Sequence, residues 1–165
     1  MQESSETKDI ILKIKGTQSS GPAQDSIELI TQGTMRRNGD GFEIDYEETA
    51  ENGLEDTVTK IAVESQKRVT ITRSGKYGSQ LILEKGKRHL NHYDMGFGQF
   101  VMGVRAANID NRLTMGGGEL SVTYTLEMNH ALMSRNRFHI TVQDISAAER
   151  PETMAPAWPM RRPGG

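Results

Sequence analysis

Glu48 and Arg73 carry the chemistry that this sequence offers most plainly. Each extends an alternating apolar run: Glu48 follows Phe42, Ile44 and Tyr46, and Arg73 follows Val69 and Ile71. In an extended chain alternate residues share a face, so both charges point where apolar residues point. An inward charge is costly unless it is paired or solvated. Arg73 suits a ligand carboxylate, because a guanidinium presents a planar fork of donors. Glu48 suits an amine or hydroxyl. The competing reading pairs the two as a rim network that fixes closure of the fold, and their place at strand ends, near solvent, speaks for it. Thr57, Thr59, Ser79 and Tyr124 also fall on their strands' apolar faces, and Asn136 is in phase with Phe138 and Ile140. The expected ligand-binding set is therefore Glu48, Arg73, Thr57, Thr59, Tyr124 and Asn136, joined by Tyr46, Tyr93 and Met102.

Other chemistries are poorly supplied. Glu47 and Glu48 look like a carboxylate pair, but neighbours on a strand point to opposite faces, which argues against a glycosidase arrangement. Asp45, Glu47 and Glu43 form an outer, solvated stripe. His89 and His92 are three apart and so diverge on a strand; His139 alternates away from Phe138 and Ile140. A zinc site needs three or four convergent ligands, so no metal is expected. His92 beside Asp94 is a weak acid/base candidate. Gly96-Phe97-Gly98 is followed by a strand rather than the helix a dinucleotide fingerprint requires, and Gly116-Gly117-Gly118 lacks the lysine of a phosphate loop. No serine sits in a nucleophile elbow. No catalytic residue and no cofactor are assigned.

Composition narrows the classes further. The 165 residues carry 22 acids against 20 bases, for a net charge of −2. Nothing in that balance attracts nucleic acid or an anionic membrane. There is no cysteine, which excludes disulfides and thiolate chemistry and fits a reducing compartment. The start, Met1 to Asp9, has no apolar core and does not read as a signal peptide. No apolar run reaches the ~20 residues a membrane helix needs. The expected location is the cytoplasm.

The elements that must position these residues are strands. Period-two runs cover about Asp9–Thr17, Asp25–Arg37, Phe42–Glu48, Asp56–Ser65, Val69–Arg73, Tyr77–Glu84, Arg88–Tyr93 and Phe97–Ala107. A long run then carries Leu120, Val122, Tyr124, Leu126 and Met128, and a last one Phe138, Ile140 and Val142. Such alternation marks half-buried strands. Asn38-Gly39 and Ser74-Gly75 mark tight turns, and Asn129 to Arg135 reads as another. Short connections make neighbours antiparallel. A meander of this length leaves two open edges unless it closes on itself. The expected fold is one all-β, antiparallel, up-and-down barrel of eight to ten strands. Residues 1–8 read as a disordered leader and 9–145 as the barrel. Residues 146–165, with four prolines and Trp158, read as a flexible tail.

The motifs Tyr46-Glu47-Glu48, Gly53, Thr57, Arg73-Ser74-Gly75, Tyr93 with Met95, Phe97-Gly98, Gly117-Gly118 and Tyr124 resemble the YwiB-like family. This is a bacterial family of small proteins whose biochemical function is unknown. The likeness covers about residues 9 to 145. It implies a calycin-type barrel, similar in shape to lipocalins, and it implies no activity. The function expected from the residues is non-enzymatic binding of a small, mostly apolar ligand with a polar or acidic group. The alternatives are an interaction or scaffold module with a filled barrel, and an enzyme using Arg73 and Glu48 on an anionic small molecule. Self-association stays open at this point, as does whether the barrel is hollow.

Overall fold

The structure is a computed structural model that describes residues 7–48, 56–75, 78–94, 99–128 and 131–145, with the side chains of 92–94, 99 and 100 outside the description. The described residues form ten strands: β1 Thr7–Ser20, β2 Ala23–Asn38, β3 Gly41–Glu47, β4 Thr57–Glu64, β5 Arg68–Gly75, β6 Ser79–Glu84, β7 Arg88–Asp94, β8 Gln99–Thr114, β9 Gly117–Met128 and β10 Ala131–Asp144. Every strand neighbours the one before it, and β1 pairs with β10 to close the ring. All paired neighbours are antiparallel. The up-and-down barrel expected from the alternation is the fold. Among the described residues no helix is long and apolar enough to cross a membrane.

Turn chemistry sets the hairpins. Gly21 (φ 60) and Gly39 (φ 62) each take the first turn position, where a two-residue hairpin loop needs positive φ. The second turn is therefore Gly39-Asp40, with Asn38 still paired to Gly41. β1 starts at Thr7, so Thr7 and Lys8 belong to the barrel rather than to the leader. Lys8 forms a salt bridge with Asp144 at 3.1 Å across the closing seam.

Two strands are longer than their alternation suggests. β8 runs on to Thr114, past the Ala107 end read from the sequence, and β10 begins at Ala131, inside the expected turn. Each contains a bulge, between Ala106 and Asn108 and between Leu132 and Ser134. A bulge inserts one unpaired residue, so the inward phase moves from Val104 and Ala106 to Ile109 and Leu113. The period-two pattern breaks there although the strand does not.

Among the described residues the barrel is filled at one end only. Ile10, Leu12, Met35, Ile44, Leu83, Val104, Leu120 and Val122 are fully buried and form a solid floor with Phe42, Val63, Val69, Ile109 and Leu113. The β4–β5 turn is fastened beneath it. Gln66 Nε2 donates to the Asn111 carbonyl at 2.7 Å, the Asn111 amide donates to Gln66 Oε1 at 2.9 Å, and Asn111 Nδ2 donates to the Ser65 carbonyl at 2.9 Å. Ile61 and Ile140 are buried too, whereas Ile71, Leu81 and Tyr124 are only partly so, because they face the hollow end.

Among the described residues the least-paired seam lies between β6 and β7, which share one register pair, Ser79 opposite Tyr93. A side chain completes it. Asn91 is buried at 3% exposure, and its Oδ1 accepts the Ile82 backbone N–H at 2.8 Å. Removing that acceptor orphans a backbone donor, which costs about 1–3 kcal/mol. Asn91→Ala is expected to lower unfolding stability by that amount in a denaturant titration with an unchanged slope. A variant as stable as the parent would show that the seam does not need the amide.

Candidate functional site

The hollow end holds a cavity of about 570 Å³. Its walls are mostly apolar: Ile14 and Leu29 from β1 and β2, Ile61, Ile71 and Leu81 from β4 to β6, and Phe138 and Ile140 from β10. At water's share of roughly 30 Å³ per molecule, it has space for about twenty non-hydrogen atoms. Next to the cavity, Gly33 lets β2 lie close to β3, since a Cβ there would run into the Asp45 carbonyl and meet Tyr46 Cβ at 3.2 Å. A side chain at this position would push β2 away from Tyr46.

One wall is polar. Tyr46, Thr59 and Arg73 share a row across β3, β4 and β5, because Tyr46 pairs with Thr59 and Thr59 with Arg73 in register. Glu48 lies one inward position further along, just past the end of β3, where its N–H donates to the Thr57 carbonyl at 2.8 Å. The Glu48 side chain is 1% exposed. Its carboxylate accepts a hydrogen bond from the Thr59 hydroxyl and one from Tyr46. Arg73 Nε stands 3.6 Å from Glu48 Oε2, which is an ion pair but not a hydrogen bond. That Nε is buried with no hydrogen-bond partner, while the Arg73 side chain as a whole is 36% exposed. The guanidinium thus has a charge partner on one side and the cavity on the other. Thr57 Oγ1 is also buried without a hydrogen-bond partner.

Tyr46 shows the electrostatics of this wall. Its hydroxyl is pushed up to about 12 from the ordinary 10, mainly by burial and next by the negative charge of Glu48, against the opposing pull of Arg73. It remains a neutral donor at any physiological pH.

The structure brings together Tyr46, Glu48, Arg73, Tyr124 and Asn136 as lining residues. Tyr124 packs edge-on against Phe138, with ring centroids 6.3 Å apart. Asn136 is buried, and its Nδ2 donates to Ser134 Oγ at 3.0 Å. Thr59, although in that row, is fully buried and has no surface in the cavity, and Thr57 is enclosed as well. Met102 is half-buried opposite Asn91 and does not line the cavity. Tyr93 is paired in β7, but its side chain is outside the described residues, as are those of His92 and Asp94. Glu48 is not near solvent as its strand-end position suggested, since the ladder continues past it to Thr57.

Sequence reasoning missed the hood over the mouth. Gln18 from the end of β1 and Asp25, Ser26 and Ile27 from the start of β2 line the cavity. The available signal was the phase of Ile27 with Leu29, which continues the inward face beyond where β3 stops. Among the described residues no group of three or more His, Asp or Glu is placed to hold a metal ion.

Comparison with known proteins agrees with the resemblance drawn from the motifs. A family model described as "Domain of unknown function (DUF1934)" matches residues 12–140. A solved structure, the "Crystal structure of ywiB protein from Bacillus subtilis", is similar with a TM-score of 0.74 and 21% identity, covering 84% of this chain and 92% of that chain. That likeness shows the fold. No curated protein matches.

The Tyr46 shift is measurable. Tyr46 is expected to ionise late, near pH 12, in an absorbance titration of the folded protein. Because the folded value lies above the unfolded 10, the linked stability is intact below pH 10 and is lost as pH rises toward 12. Tyr46→Phe should remove the late component; if that component persists in the variant, another tyrosine carries it.

Proposed function

The chain belongs to the DUF1934 family of domains of unknown function, and on that premise we propose that it is a non-enzymatic binding barrel. It holds one small, mostly apolar ligand bearing an acidic group, and it works in the cytoplasm, as the absence of cysteine leads one to expect. Arg73 is the anchor for the acid, and the apolar walls take the body of the ligand. Tyr46, Glu48 and Thr59 hold the anchor in place, while Tyr124 and Asn136 stand in or beside the opposite wall.

The observation that carries this reading is the Arg73 guanidinium. It faces a cavity of about 570 Å³, its Nε is buried without a hydrogen-bond acceptor, and Glu48 offsets its charge from one side only. The Nε itself is closed off, so a ligand carboxylate would meet the remainder of the side chain, which is 36% exposed and presents the guanidinium's fork of donors. A size of several hundred Å³, apolar lining and few convergent polar groups are the ordinary features of a small-molecule site. The scaffold alternative needs a filled barrel, and the hollow end speaks against it. The enzyme alternative finds no nucleophile beside a base among the described residues: Glu48 is already engaged by Thr59, Tyr46 and Arg73.

Dodecanoate is a suitable probe, with a carboxylate and an apolar chain that the cavity can hold. Arg73→Lys keeps a positive charge beside Glu48 but loses the fork that matches a carboxylate. The variant is expected to fold like the parent by thermal melt and to bind dodecanoate at least about tenfold more weakly in calorimetry, a loss of ~1.4 kcal/mol. Equal affinity in parent and variant would remove Arg73 from the site. No binding to the parent would overturn this class of ligand.

A further inference from the structure

We infer that Glu48 makes the cavity selective by charge: it admits a singly charged acid at Arg73 and rejects a doubly charged one such as a phosphate monoester. This inference rests on reading the cavity as a binding site and adds which ligands that site excludes.

The argument is a charge count in an apolar enclosure. The cavity wall has four formally charged residues, Asp25, Glu48, Arg73 and Arg137. Asp25 and Arg137 are exposed at the rim, where solvent screens them. Inside stand one carboxylate and one guanidinium, 3.6 Å apart. Arg73 therefore already answers one buried negative charge before any ligand arrives. A first ligand charge can approach the open side of the guanidinium and share it with Glu48. Among the described residues a second has only the exposed, screened Arg137 at the rim to face, and it lies close to the Glu48 carboxylate across low-dielectric walls, where like charges repel far more strongly than in water.

Among the described residues no neighbour relieves that repulsion. Tyr46 stays protonated, so it adds no charge, and its hydroxyl donates to Glu48. The Thr59 hydroxyl is spent on Glu48 itself. The carboxylate cannot swing out to water either, since its side chain is 1% exposed and its backbone is tied to Thr57. A site built to take phosphate would be expected to surround it with several cations or backbone donors. This one places a fixed acid behind a single arginine.

Three probes with the same twelve-carbon chain separate charge from shape: dodecanoate, dodecyl phosphate and dodecyl methyl phosphate. The last two share a tetrahedral head and differ by one charge when measured at about pH 8.5, well above the second phosphate pKa of ~6. Binding to the full chain is read by calorimetry, and Glu48→Gln, which keeps the side chain's shape and an acceptor oxygen, supplies the second arm. Dodecanoate and the methyl ester should bind within a few-fold of each other, and dodecyl phosphate at least about tenfold more weakly than either. In Glu48→Gln the gap between the two phosphates should close to about threefold or less, as the repelling charge is gone. Equal binding of both phosphates by the parent would overturn the inference while leaving the binding function standing, and so would a gap that survives in Glu48→Gln. Failure of all three probes to bind the parent would sink the binding function itself. Should Glu48→Gln not fold, the comparison of the two phosphates on the parent still decides.

Discussion

β1 and β10 pair over ten residues, from Ile10 opposite Asp144 to Ser19 opposite Arg135. This contact joins the two ends of the described chain, and it turns a curled sheet into a container. Without it the meander would have open edges at both β1 and β10 and no distinction between inside and outside. With it, the alternation of every strand acquires a meaning, because one phase faces a shared interior. The apolar residues of that phase pack into a floor where the strands are close and the side chains large. Toward the other end the same phase brings in Gly16, Gly33, Thr59 and Arg73, and the interior opens. The loop closure involved is the longest in the fold and is costly in chain entropy. The ladder across the seam and the Lys8–Asp144 salt bridge help to offset it.

The polar wall is a second consequence of closure. Glu48 is enclosed only because the β3–β4 ladder continues past the last strand residue to Thr57. Had that ladder stopped at Glu47, the carboxylate would sit at a wet rim and Arg73 would answer to solvent. Instead a buried acid is held by two hydroxyls and an arginine, in a wall that is otherwise apolar. Replacing one partner in such an arrangement costs more than the pair contributes, so its residues constrain one another.

Much of this was legible before the structure. The phase of Phe42, Ile44, Tyr46 and Glu48 put an acid inside, and that of Val69, Ile71 and Arg73 put a base on the same side. Their meeting required only that β3, β4 and β5 be neighbours, which the short connections imply. What stayed hidden has a physical cause in each case. The second half of β8 and the first turn of β10 were lost because a bulge resets the count of two, and nothing in the residues Ala107 or Met133 announces it. The burial of Glu48 was misjudged because a strand's end in sequence is not its end in the ladder. The hood from Gln18, Asp25 and Ile27 was missed because alternation shows which way a residue faces and not how far its strand projects beyond its neighbours. Met102 has the right phase and half-buried surroundings, but phase alone does not set height along the barrel axis.

The division of the barrel into a packed end and an empty one also bears on how such a chain can change over time. Folding draws on Ile10, Leu12, Ile44, Leu83, Val104 and Leu120, none of which touches the cavity. Recognition draws on a separate tier above them. Substitutions in the upper tier leave most of the buried apolar area undisturbed, so lineages can re-line the opening without first acquiring compensating mutations below. A fold divided in this way is a receptive starting point for divergence and for redesign. The tier that must stay fixed for the chain to fold is not the tier that decides what it holds.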